Sequence, residues 1–150
     1  MKRVQVRRPV QVLAVLIVLL WADHTGWIRM ALAACCLHEL GHVLVYRRCY
    51  GVWPELTVSL RGIALRMPAV PPPAGQLLVL ACAGPGMNFA VSALVLLAMQ
   101  KQASYGGYLF ASANLCTGMF NLLPLGTLDG RRILQALWGQ RGKITGSDKI

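Results

Sequence analysis

Between Ala31 and Tyr46 runs an apolar segment that nevertheless holds His38, Glu39 and His42. A low-dielectric setting keeps ionisable side chains only when they are paired, bound to a metal or part of a function, so this segment constrains everything packed around it. On a helix, residues four apart stack on one face; His38 and His42 then offer two imidazole nitrogens to one point, and Glu39 reaches a water held there. Two satisfied core histidines would account for the imidazoles one at a time. They would not account for a glutamate beside a matched pair at membrane depth.

The setting is apolar throughout. At 56% hydrophobic and 13% charged residues, with mean hydropathy +0.54, the 150 residues are too greasy for an ordinary soluble domain. They read as an all-α multi-pass membrane protein forming a single membrane-embedded domain over 1–150, with about four transmembrane helices. Pro9–Ala22 is a first span or a signal-like core within 1–26; Trp27–Tyr46, Gln76–Met99 and Tyr108–Leu125 follow, the core runs over 27–138, and 139–150 is a polar tail. A net charge of +10 would suit nucleic acid if it formed one patch, but the basic residues cluster at span ends instead, so no nucleic-acid partner is expected. Lys2, Arg3, Arg7, Arg8, Arg47, Arg48, Arg61, Arg66 and the five after Asp129 fall on one side, against Arg29 and Lys101 on the other. By the positive-inside rule both termini are cytoplasmic, and His42 and Asp129 lie near that face.

Between the second and third spans, Leu56, Val58 and Leu60 alternate with Thr57, Ser59 and Arg61, and Ile63, Leu65 and Met67 with Ala64 and Arg66. This is strand periodicity, and it predicts a small β-hairpin turning at Arg61-Gly62, followed by a stiff connector over Pro68–Pro73. Its edge, along Leu56–Leu60, offers backbone pairing to an extended peptide. The five cysteines form no C-x-x-C pair and read as small buried hydrophobes, not ligands.

A catalytic zinc site uses three protein ligands and an open position, so the two histidines imply a third ligand. The other carboxylates are few: Asp23 is predicted on the outer side, Glu55 in the strand region and Asp148 in the tail, which leaves Asp129. Its alternative role is to cap the helix-like Arg131–Trp138. Two polar islands interrupt the spans, Gly84-Pro85-Gly86-Met87-Asn88 and Asn121-Leu122-Leu123-Pro124. Asn88 and Asn121 either bond between helices or grip the backbone of an extended substrate.

Three motifs, HELGH at 38–42, AGPGMNF at 83–89 and NLLPLGTLDG at 121–130, together resemble the site-2 protease family of intramembrane zinc metalloproteases. The resemblance covers Trp27–Trp138 and is nearest to the compact bacterial members. It implies one Zn2+ per chain held by His38, His42 and Asp129, with Glu39 as the catalytic base and Asn121 and Pro124 in the same site-forming segment. It further implies hydrolysis of peptide bonds in or near transmembrane segments of membrane protein substrates, close to the cytoplasmic face of a bacterial plasma membrane. Arg131 stands where many members have a second glycine, and no appended regulatory domain is expected, so regulation falls to a separate membrane protein or to the bilayer. A membrane scaffold with a structural zinc site and a metal transporter are the competing readings. Glu39 argues against the first, and the convergence of ligands at one depth against the second.

Overall fold

The computed structural model describes residues 4–59, 62–65 and 73–145. Eight elements run in the order β1 (Val4–Val6), α1 (Pro9–Ala22), α2 (Trp27–Tyr50), β2 (Leu56–Ser59), β3 (Gly62–Leu65), α3 (Ala74–Met99), α4 (Tyr105–Asn121) and α5 (Asp129–Thr145). The Arg61 and Arg66 side of the hairpin, most of the Pro68–Pro73 connector and Asp148 lie outside the described residues.

Helix α3 is the hub, packing against α2, α4 and α5. Its buried positions, Leu80, Ala81, Gly84, Pro85, Asn88 and Ser92, recur every three or four residues and form one inward stripe, while the rest of its surface is apolar and outward. Pro85 sits inside this helix without ending it. Small residues let the helices close up: Ala34, Ala81, Ala111 and Ala113 are buried, as expected where packing rather than hydrophobic exclusion holds helices together. Ser92 Oγ donates to the Ala111 carbonyl across the α3–α4 contact at 2.9 Å.

Of the four expected spans, α2 and α3 are long and apolar enough to cross a bilayer. Helix α1 has 14 residues and α4 has 17. At 1.5 Å per residue these reach only about 21 and 26 Å, short of a hydrocarbon core of about 30 Å. Pro9 opens α1 with its φ already helical, and none of the helix is buried.

The hairpin forms in antiparallel register, Leu56 opposite Leu65 and Ser59 opposite Gly62. Sequence reading missed a third strand. Val4–Val6 pairs in parallel with Leu56–Val58, and Arg7 N–H extends the ladder to the Val58 carbonyl at 2.8 Å. Thus β2 is central, bonded on both sides, so its Leu56–Ser59 backbone is not the edge expected along Leu56–Leu60; among the described residues β1 and β3 are the outer strands, and β3 is the strand that meets α2. Because β1 leads directly into α1 and β2 follows α2, their pairing also holds the start of α1 and the end of α2 on the same side.

The cysteines correct a second expectation. All five are free and exposed, on outward helix faces and not in the core; a thiol there meets whatever surrounds the bundle.

Candidate metal centre

Helix α2 brings His38 and His42 to one face, as their spacing requires, and both are 5% exposed. Each imidazole is anchored by its far nitrogen. His38 Nδ1 lies 2.8 Å from Asn88 Oδ1, and His42 Nδ1 lies 2.8 Å from the Leu80 carbonyl. A carbonyl oxygen can only accept, so His42 carries its proton on Nδ1, and the same holds for His38 when Asn88 presents oxygen. Both Nε2 atoms then turn lone pairs inward, the arrangement that second-shell partners impose on metal-binding histidines.

Asp129 completes the cluster from the first turn of α5. Its Oδ2 lies 3.0 Å from His38 Nε2 and 3.0 Å from His42 Nε2, and the two Nε2 atoms are 3.1 Å apart. Two neutral imidazoles protonated on Nδ1 and a carboxylate thus aim three acceptor atoms at one another. A metal ion among them, or a proton on one Nε2, relieves that repulsion. Tetrahedral zinc with bonds of about 2.0–2.1 Å would space its ligands by about 3.3 Å, close to the triangle observed. The wall opposite is Gly84 of α3: a Cβ there would fall 2.6 Å from His38 Nε2 and closer still to His42 Nε2. The absent side chain leaves the space that an ion with an open coordination position would use, so the residues fit zinc.

Asp129 reaches this place because α5 starts unusually close to the preceding loop. A Cβ on Gly130 would collide with the Leu122 carbonyl, so only glycine permits the approach. The Arg131 guanidinium donates to the Gly126 carbonyl at 3.1 Å, bracing the loop, and Arg132 Nη1 stands 3.5 Å from Asp129 Oδ1. Arginine at 131 therefore braces the turn. Glu39 is half-buried beside the cluster, in the field of His42, His38, Asp129 and Arg132.

The remaining expected site residues divide. Asn88 joins the centre, but its amide is spent inside the protein: Oδ1 on His38, Nδ2 on the Ala34 carbonyl at 3.0 Å and on Asn114 Oδ1 at 2.9 Å, with no exposed surface. That geometry orients a ligand; it leaves no group to grip a substrate. Asn121 Nδ2 bonds back to the Thr117 carbonyl of its own helix at 3.0 Å, and Pro124 is exposed in the loop. Sequence reasoning missed Gly84, Asn114 and the Leu80 carbonyl. Gly84 and Asn114 carried a signal, a glycine one turn before Asn88 and an amide inside the apolar α4; a backbone carbonyl carries none.

No family model matches the chain. Rip3 of Mycobacterium tuberculosis, named as a zinc metalloprotease, is 36% identical over 137 residues, covering 83% of this chain and 34% of that protein. The zinc metalloprotease MJ0392 of Methanocaldococcus jannaschii is 35% identical over 121 residues, covering 76% and 34%. The chain thus spans about a third of the length of the curated relatives it matches. The solved site-2 protease from Methanocaldococcus jannaschii superposes with a TM-score of 0.69 at 24% identity, covering 93% of this chain and 69% of that one. The same fold, relatives named for zinc proteolysis and a triad that fits zinc agree: over the span they share, the chain is similar to zinc metalloproteases and has the fold of a site-2 protease.

Proposed function

We propose that this protein is an intramembrane zinc endopeptidase that hydrolyses peptide bonds in or near transmembrane segments of membrane proteins, close to the cytoplasmic face. The observation that carries the reading is the convergence of His38 and His42 with Asp129, from elements about ninety residues apart in sequence, with Glu39 alongside. A structural zinc site would use four protein ligands, and among the described residues three gather here. The site-2 protease fold and the relatives' names support proteolysis.

His38, His42 and Asp129 would hold the ion, which supplies Lewis-acid polarisation of the scissile carbonyl and an acidified water. Glu39 takes the water's proton on its carboxylate as the carbonyl carbon is attacked, then passes it to the leaving nitrogen. Asn88 and the Leu80 carbonyl keep both imidazoles in the metal-ready orientation through the cycle. The His42 to Tyr50 stretch of α2 covers about 12 Å of helix axis, so the chemistry sits about two to three turns below the end of α2. That end shares its side with the basic N-terminal flank, which supports a cytoplasmic location under the positive-inside rule. An extended substrate strand is taken by the outer edge of β3, the strand that meets α2.

The test is Glu39→Gln in detergent-purified protein and in cells co-expressing a membrane substrate. Zinc content stays at one per chain and cleavage falls by about a thousandfold or more. Unchanged cleavage would rule out the base, and absence of zinc from the wild type would rule out the metal centre.

A further inference from the structure

We propose that Asn114, on α4 and away from the metal triad, is a positioning residue that sets the tautomer of His38 by fixing the amide of Asn88. The proposal rests on the zinc reading above. It follows from two backbone carbonyls that can only accept hydrogen bonds.

The Phe110 carbonyl stands 2.9 Å from Asn114 Nδ2, one turn back on the same helix. Only the NH2 end of the Asn114 amide can face it, so Asn114 Oδ1 points the other way, into α3. The Ala34 carbonyl of α2 is the second fixed acceptor. Asn88 Nδ2 lies between the two, 2.9 Å from Asn114 Oδ1 and 3.0 Å from the Ala34 carbonyl, and its two hydrogens satisfy both. Asn88 Oδ1 is thereby left facing His38 Nδ1 at 2.8 Å, which requires the proton on Nδ1 and frees the Nε2 lone pair for a metal. Reversing the Asn88 amide would set oxygen against two buried oxygens. Both asparagines are 0% exposed, so bulk water does not reach these positions. Polarity is transmitted across three helices, from the α4 backbone to a ligand on α2, and each link constrains the next.

The chain of bonds is tested on the full chain in detergent. Nitrogen NMR of labelled imidazoles reads the tautomer of His38 in metal-stripped protein, and competition with a chelator reads zinc affinity. In the wild type, His38 carries its proton on Nδ1; a proton on Nε2 overturns the proposal without any variant. Asn114→Leu is expected to mix the tautomers and weaken zinc binding about tenfold. Asn114→Asp, a buried neutral acid with an oxygen for Asn88 and a hydroxyl for Phe110, restores both readouts to within a few-fold. Wild-type affinity and an unmixed tautomer in a folded Asn114→Leu overturn the role of Asn114. If the leucine variant does not fold, Asn114→Asp decides: a lost Nδ1–H tautomer there overturns it, a retained one supports it. A wild type that binds no zinc at all would instead defeat the proposed function, a distinguishable result.

Discussion

Helix α2 has one buried aspartate at its start and another against its middle, and the two do different things. Asp23 is 5% exposed and Asp129 is 4% exposed, so burial does not separate them. Their partners do. The Asp23 carboxylate is satisfied within six residues, by Gly26 N–H at 2.9 Å, Arg29 N–H at 3.0 Å and Arg29 Nε at 3.1 Å, while the Arg29 guanidinium returns a bond to the Asp23 carbonyl. It acts as an upstream cap, filling free N–H groups at the helix start where negative charge is favoured. Asp129 meets two imidazole nitrogens that turn lone pairs toward it. A carboxylate surrounded by donors is complete, whereas one facing acceptors calls for a cation.

The widest gap is expected between matched substitutions of these two residues. Asp129→Asn removes the charge that the centre needs; zinc content falls well below one per chain and cleavage drops on the order of a thousandfold. Asp23→Asn leaves zinc and cleavage near wild type and lowers the thermal midpoint by a few degrees, because part of the cap survives. Zinc measured on both purified proteins, beside cleavage, breaks the comparison if the two variants lose metal alike.

Gly84 sharpens the metal side of the comparison. Gly84→Ala drives a methyl group onto both imidazoles and is expected to weaken zinc binding about 10–100-fold. Gly86→Ala, two residues along the same helix, meets nothing within 4 Å and leaves zinc affinity unchanged. Equal zinc affinity in the two variants would mean that the Gly84 wall is not part of the site.

Sequence exposed the two surroundings unequally. The His38–His42 spacing, the scarcity of carboxylates and the N-x-x-P-x-x-x-x-D-G run were enough to gather the triad, because helix periodicity and elimination act on residue identity. The fold was legible as apolar helices with a small hairpin between α2 and α3. What escaped depended on partners far apart in the chain. Val4–Val6 is too short for its alternation to declare a strand, and only pairing with β2 makes it one. The outward cysteines and the lengths of α1 and α4 are set by packing and by where turns fall. Asn88 could have been substrate-facing or ligand-facing, and the choice was made by Ala34 and Asn114, which spacing does not reveal.

A smaller effect is expected at the sheet. Adjacent residues of a strand point their N–H groups in opposite directions, so Ile63→Pro and Ala64→Pro remove one N–H from the β2–β3 ladder and one from the outer edge. If a substrate strand adds to β3, the edge-side proline lowers cleavage about tenfold with zinc content normal. Equal cleavage by the edge-side variant and the wild type would move substrate capture away from the sheet.

The smallest effect lies in the pH response of the Asp23 cap. Burial by itself would raise the Asp23 carboxyl, but the Arg29 N–H and guanidinium, with Gly26 N–H, outweigh it and hold the group at about 2. An unfolded aspartate titrates near 3.9. The folded value is depressed, so the stabilisation is fully present above about pH 4 and is lost as pH falls through about 2. Arg29 has 59% of its side chain exposed, so water and salt screen its share and the effect is modest. Hydrogen-exchange protection of the Gly26 and Arg29 amides, followed from pH 5 to pH 2, is expected to fall across that window in the wild type and to stay flat in Asp23→Asn. A flat wild-type profile would mean that the neutral backbone bonds, not the charge, hold the start of α2, and the contrast between the two aspartates would then reduce to what each one faces.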